Sequence, residues 1–292
     1  MSNIFILIDG SYFCFYRYHS LLTWWKNAYP EDLDALQNPF QNEKFVEKFK
    51  KTFVEGIQFI PKKLGLTSNK NKKSKKNSHI FETDEEPILI IGKDCKRDEI
   101  WRNELFSSYK ANRANEGFMG GPFFKMAYEE NLFIDGGAIG ILRHPKLEAD
   151  DCIAITCKKL LEKYNDSCKI YIITSDKDYL QLASDQVKLF NLAFKDLTEQ
   201  KSCTGNAECD LFCKILTGDT SDNIPSVFPK CGPKTALKYF EDPLLLENKL
   251  KESSEYKKQY ELNRHIVDFN YIPEDLIKEF IEQNTLIKFL TE

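Results

Sequence analysis

Four short apolar runs, at residues 3–8, 87–91, 139–142 and 169–174, constrain this chain more than any other feature. Each is too short for a helix, and each closes on a turn, as strands buried on both faces do. Residues 187–189 read as one more. Between the runs lie helical patterns. Ser11 caps a helix with an aromatic face of Phe13, Phe15 and Tyr16. Residues 43–64 carry Phe45, Phe49, Phe53, Ile57 and Ile60, a helix is expected at 122–133, and another opens at Leu147 and runs to Tyr164. Apolar strands alternating with helices predict an α/β domain over 1–205, a parallel sheet covered on both faces. Beyond it no strand-like run occurs. Helices are predicted at 207–217, 233–240, 243–251, 255–268 and 274–290, forming a smaller all-helical domain over 206–292.

Composition narrows the class. Hydrophobic residues make up 42% of 292, enough for a sizeable core. No apolar run reaches the ~18 residues of a membrane span. The first residues lack a basic flank and a small-residue cleavage site, so the expectation is a soluble, intracellular protein and not a secreted one. Nine cysteines include no CxxC pair. Cys203, Cys209, Cys213 and Cys231 match no common zinc spacing, and reduced thiols are the plainer reading. The net charge of −4 does not exclude a polyanionic partner, because carboxylates that bind cations count as negative while acting as a neutralised site. A run rich in lysine and asparagine at 67–78 precedes an acidic patch at 82–86. The segment reads as a solvated loop, with DNA contact or nuclear import as alternatives.

Aspartates close three of the four apolar runs: Asp9, Asp94 and Asp176. Active sites of open parallel sheets form at the carboxyl ends of the strands. Glu148, Asp150 and Asp151 sit at a helix start that follows a strand, Asp178 lies two residues past Asp176, and Asp219 and Asp222 share a Gly-Asp-Thr-Ser-Asp-Asn loop. Any one of these acids is explained by helix capping. Together, at one sheet edge, they would repel one another severely unless cations neutralised them. Oxygen ligands without His or Cys favour Mg²⁺, with Mn²⁺ as a substitute. Two such ions suit phosphodiester hydrolysis. No G-x-S-x-G elbow or Walker-type loop offers another chemistry.

The segments LIDGSYFCFYRYH (7–19), IIGKD (90–94), SSYKANR (107–113), LEADD (147–151), TSDKDYLQL (174–182) and GDTSDNIPSVFPKCGPKTA (218–236) resemble, in order, the 5′-nuclease superfamily. That group comprises flap endonucleases, phage 5′–3′ exonucleases and the 5′-nuclease domain of bacterial DNA polymerase I. The resemblance implies a PIN-like nuclease domain with a helical arch over about 95–135, and a helix–two-turn–helix over about 207–240. It implies that Asp9, Asp94, Glu148 and Asp150 bind a first metal. Asp176, Asp178 and Asp219 would bind a second, with Asp151 and Asp222 nearby. Lys110 and Arg113, spaced one helical turn apart, would contact the scissile phosphate. Phe15 would stack on a terminal base or else belong to the core. Tyr109, Gly232, Lys234 and Thr235 would contact DNA. Ser226 replaces a family glycine and the 228–231 segment carries an extra residue, which bears on the K⁺ site such modules hold.

The implied activity is structure-selective hydrolysis of DNA at 5′ flaps or 5′ ends in replication or repair, by a monomer. Two rivals stand beside it: a PIN-type ribonuclease and a non-catalytic protein that binds branched DNA. Residues 283–290 resemble a sliding-clamp peptide, and a final amphipathic helix packed on the body explains them equally.

Overall fold

The computed structural model describes residues 3–31, 36–66, 86–113 and 117–291. The lysine-rich loop expected at 67–86 lies, but for Glu86, outside them. Five strands form one parallel sheet in the order β3-β2-β1-β4-β5. They are β1 (Ile4–Asp9), β2 (Ile88–Gly92), β3 (Ala138–Leu142), β4 (Lys169–Ile173) and β5 (Val187–Phe190). The fifth run is therefore a true strand. Chain order reverses at β1, which pairs with β2 on one side and β4 on the other. This is the switch point where such sheets open a crevice at the strands' carboxyl ends.

Alternation along the strands fills two cores. Phe5 and Leu7 point to one face with Ile170, Ile172 and Leu189, under α7 (Ala149–Tyr164). Ile6 and Ile8 point to the other with Ile91 and Ile173, under α1 (Gly10–Ala28) and α2 (Glu43–Gln58). Both faces are covered, which is why the strands read as continuous apolar runs. In α2 the side chain of Asn42 accepts from the Phe45 amide (3.0 Å), and Phe45, Phe49, Phe53 and Ile57 line one buried stripe. The expected helix to residue 64 breaks at Phe59 into the short α3 (Ile60–Lys63). Pro61 has no N–H to continue the ladder.

The segment expected to form an arch holds only short helices among its described residues: α4 (Arg102–Leu105), α5 (Gly121–Glu129) and α6 (Leu132–Asp135). The helix expected over 122–133 breaks at Asn131, whose φ is 59°. Residues 107–112 are turns. Lys110 and Arg113 therefore do not share a helix face, and Lys110 has a φ of 54°.

After β5 come α8 (Ala207–Thr217), α9 (Pro233–Glu241), α10 (Pro243–Lys251), α11 (Ser254–Val267), α12 (Glu274–Gln283) and α13 (Thr285–Thr291). Helices α8 to α11 enclose one small core of their own and share a second with Ile100 and Tyr109. The last two do not belong with them. Leu276, Phe280, Ile287 and Leu290 join the core beneath α7, so the helical unit does not extend to the end of the chain as expected. The predicted continuous helix over 274–290 breaks at Asn284, whose side-chain amide donates to the carbonyls of Phe280 (2.7 Å) and Arg143 (3.1 Å). Leu286 packs where a Cβ on Gly140 would lie, 2.7 Å away. Of the clamp-like residues, Leu286 and Leu290 are thus spent on packing and Phe289 is exposed. The packed-helix reading fits this geometry. No helix is long and apolar enough to cross a membrane among the described residues.

Candidate active site

Strand ends and one helix start deliver the acids to a single cavity of about 700 Å³. Asp9, Asp94, Glu148, Asp150 and Asp176 line it, from four segments that the sequence keeps far apart. Asp9 ends β1 and, in place of the expected Ser11, caps α1, accepting from the Tyr12 amide (3.0 Å) and from the Thr174 hydroxyl (3.3 Å). Asp94 follows β2, accepting from the Ala149 amide (2.8 Å) and from the Ser11 hydroxyl. The backbones here approach closely. A Cβ at Gly10 would lie 2.6 Å from the Gly92 carbonyl oxygen.

Burial and crowding set the electrostatics. Asp9 is pushed up to about 7 by burial first, then by the charges of Asp94 and Asp176. Burial likewise lifts Asp94, with Glu148 adding to it. Burial lifts Asp150 well above the usual carboxylate range, aided by Asp151 and Glu148. Glu148 goes the other way. Its burial opposes ionisation, but Lys110 and Arg102 outweigh it and hold the group below its ordinary value.

Glu148 is the most engaged of these acids. It takes hydrogen bonds from the Tyr109 hydroxyl (3.1 Å), Arg102 Nη1 (3.2 Å) and Lys110 Nζ. Asp151, expected beside the metal ligands, has both oxygens bound to Arg102 (2.7 and 2.8 Å) and one also to Trp101 Nε1 (3.0 Å). It is wholly buried and closes a capping box with Glu148. Its place is structural: it locks the start of α7. Tyr109, expected among the DNA contacts, is also buried, packed with Ile100, Ile215 and Ile266. Its ring cannot reach DNA, and its hydroxyl orients Glu148 instead.

Asp219 faces an adjoining cavity of about 800 Å³, which Asp176 shares, and Asp178 is tied to Asp219 through a cation. Between them lies Lys214, whose Nζ bonds to both carboxylates, at 2.9 Å to Asp219. Burial works against ionisation of Asp219, yet Lys214 and Ser221 hold it down at about 2. Lys214 and Arg102 were not legible as site residues, because helical spacing does not say which acid a solvent-side or core-side cation will meet.

A set of polar contacts joins the 107–113 segment to the Gly-Asp-Thr-Ser-Asp-Asn loop. The Lys110 amide donates to the Asp222 carbonyl (2.9 Å), Asn112 Nδ2 to the Thr220 carbonyl (2.7 Å) and Asn223 Nδ2 to the Ser108 carbonyl (2.9 Å). Arg113 donates to the Asp222 carboxylate and to the Ser221 carbonyl (3.2 Å). Asp222 is raised by its burial, with Lys110 and Arg113 pulling against that. Lys110 and Arg113 both line the carboxylate cavity. So does Phe15, which is 43% exposed and therefore not core.

Gly232 caps α9, with Lys234 and Thr235 exposed in its first turn. Pro233 and Lys234 border the second cavity. In the preceding hairpin, Lys230 takes up a φ of 58°, a conformation in which glycine is the usual occupant. The Ser226 hydroxyl donates to the Phe228 carbonyl (2.9 Å).

The donor set fits hard divalent cations. It is carboxylate oxygen throughout, with Glu148 and Asp150 bringing oxygens within 4.8 Å of one another while Asp151 beside them is held by Arg102. The raised affinities of Asp9, Asp94 and Asp150 for protons mark a load of negative charge that a bound cation would relieve.

Comparison with known proteins agrees with this layout. Residues 74–209 match the family described as 5′-3′ exonuclease, N-terminal resolvase-like domain. The 5′-3′ exonuclease of Buchnera aphidicola from Acyrthosiphon pisum is 35% identical over 156 residues, 51% of each protein. A protein named ribonuclease H from Enterobacteria phage T4 is 28% identical over 217 residues, 66% of this chain and 68% of that one. The chain spans about half the length of the first 5′-3′ exonucleases it matches. The flap endonuclease of bacteriophage T5, solved with DNA and metal ions, superposes over 98% of both chains with a TM-score of 0.60 at 17% identity, a likeness of fold. Motifs, fold and relatives agree: residues 74–209 are similar to the 5′-3′ exonuclease N-terminal domain, and the chain as a whole shares the fold of the phage T5 enzyme.

Proposed function

We propose that this chain is a structure-selective 5′ nuclease that hydrolyses DNA phosphodiesters at 5′ flaps or 5′ ends. One observation carries the reading: acids from separate segments share a cavity with Lys110 and Arg113 on its wall. Mg²⁺ is the ion proposed, in two sites, with Mn²⁺ as a substitute. Asp9, Asp94, Glu148 and Asp150 would hold one ion, and Asp176, Asp178 and Asp219 the other. Bound there, the ions supply an activated water and neutralise charge on the phosphate and on the leaving 3′-oxygen.

The chain's own groups do the rest. Arg113, 43% exposed at its side chain, is the cation best placed to take a phosphate oxygen, with the more enclosed Lys110 behind it. Phe15 offers an aromatic face to a terminal base without regard to sequence. The backbone amides at the start of α9, with Lys234 and Thr235, suit the phosphates of a duplex arm. K⁺ at the hairpin would have to displace donors from the Phe228 carbonyl, which accepts from both the Ser226 hydroxyl (2.9 Å) and the Cys231 amide (3.2 Å).

The test incubates 5′-flap DNA, an RNA–DNA hybrid and hairpin RNA with and without Mg²⁺, beside an Asp176→Ala control. Mg²⁺-dependent cutting of the flap that the control lacks supports the reading. Cutting of RNA alone moves the chain to ribonucleases, which the name of the phage T4 relative makes worth including. Binding without product would make it a scaffold.

Metal linkage gives an independent check. Asp9 sits at about 7 and Asp94 and Asp150 are also raised. The native state therefore holds protons that the unfolded chain releases near pH ~4. Stability without metal should fall as pH rises from about 4 to 7. Asp219, held at about 2, acts in the opposite sense, but only below that window. The rise in Tm produced by Mg²⁺ should accordingly be larger at pH 7.5 than at pH 5, read by differential scanning calorimetry in chelator and in Mg²⁺. An increment independent of pH would separate these acids from metal binding.

A further inference from the structure

Helix α1 carries a second surface that the catalytic reading does not use. A cavity of about 650 Å³ runs along it, lined by Tyr12, Tyr16, His19 and Trp24 among others. Tyr12 and Phe15 line this cavity and the carboxylate cavity alike, so the two form one path. Its rings are unusually open for their size, with Trp24 41% exposed and Phe15 43%. Phe15 and His19 lie with their planes 7° apart, so flat groups laid on them share one stacking direction. Beyond Trp24 is a smaller cavity of about 310 Å³, bordered by Arg17 and Lys48. Lys48 Nζ sits over the Trp24 ring at 4.5 Å, and Arg17 Nε is buried without a hydrogen-bond partner. Neither makes an ion pair among the described residues; Glu55 is the acid whose charge Arg17 feels.

We propose that this face of α1 is a track for single-stranded nucleic acid. Bases stack on Phe15, His19 and Trp24, and the backbone passes over Arg17 and Lys48. Aromatic faces beside cations are what sequence-independent single-strand binding requires. From Tyr12 to Asn27 the helix rises about 22 Å, room for roughly six stacked nucleotides at ~3.4 Å each. Continuity with the carboxylate cavity favours a strand over a protein partner, since a strand entering that cavity must leave along some wall of it. The proposal rests on the nuclease reading for the direction of that path, and not for the binding itself.

The experiment is a fluorescence titration of the full chain in EDTA, where no hydrolysis intervenes, with oligothymidylates of three and twelve residues. Of the three tryptophans, Trp25 and Trp101 are buried, so quenching reports Trp24. The twelve-residue strand is expected to quench and to bind at least tenfold more tightly than the short one. Read by the anisotropy of a fluorescein-labelled twelve-residue strand, which needs no tryptophan, Trp24→Ala and Lys48→Glu should each weaken binding at least fivefold. Both variants should keep the wild-type Tm and cut a flap with a two-nucleotide single strand at wild-type rates. Equal binding of the long strand by wild type and both variants would overturn the proposal. Stronger competition by a twelve-base-pair duplex than by the single strand would also overturn it, making the face a duplex surface. Intact strand binding by a chain that cuts nothing would leave the track standing and remove the nuclease reading; the reverse result would do the opposite.

Discussion

Asp150→Asn should abolish Mg²⁺-dependent cleavage, by at least about 10³-fold, while leaving the fold undisturbed. The side chain faces the cavity, and its Oδ1 accepts from the Asp151 amide at 2.7 Å. Asparagine can keep that hydrogen bond through its carbonyl oxygen. What it loses is charge, and with it the hold on a cation worth several kcal/mol to the transition state. Removing a buried like charge beside Asp151 and Glu148 also relieves repulsion. In chelator the variant should therefore melt no lower than wild type, and the added stability from Mg²⁺ should shrink. The measurements are initial rates on 5′-flap DNA and Tm with and without Mg²⁺. Cleavage within tenfold of wild type would remove Asp150 from the metal site.

Arg102→Leu is expected to produce the largest loss of stability. The guanidinium is 2% exposed and satisfies Asp151 twice, Glu148 once and, through Nε, the carbonyl of Ile266 at 2.8 Å. Taking these charges out of water is expensive, so the intact network is not itself proof of stability. Removing only the cation is another matter, because it leaves the buried Asp151 without a counter-charge while Glu148 keeps Lys110, at a cost of about 3–5 kcal/mol. For a chain of this size that corresponds to a fall in Tm of roughly 10 °C. Pairing Arg102→Leu with Asp151→Leu should recover part of the loss by removing one stranded charge. Thermal melting of the single and double variants decides the matter. A single variant that melts within about 2 °C of wild type would show that water enters and solvates the acids.

The sheet was legible in the sequence because its strands are buried on both faces, which leaves wholly apolar runs such as 3–8 and 169–174. The acids were legible because the end of a parallel strand is a position defined by the run itself. Contacts across the chain were not. Arg102 meets Ile266 and Asp151 from a one-turn helix that has no amphipathic signature of its own. Tyr109 looked like a surface aromatic because its polar neighbours Ser108 and Lys110 surround it, whereas Ile100, Ile215 and Ile266 close over it from elsewhere. The return of α12 and α13 to the sheet was hidden for a similar reason: an apolar helix stripe reports that something covers it, and never what. Breaks at Phe59 and Asn284 depended on one missing amide and one side-chain bond to Arg143.

The hydrogen bonds between the 107–113 turn and the 219–223 loop have a mechanical meaning. Whatever seizes a duplex arm at the helical unit pulls on the same backbone that carries Lys110 and Arg113. On the proposed reading, docking of the arm would brace the two cations where they already stand on the cavity wall. Junctions would then be favoured over bare strands without any base being read.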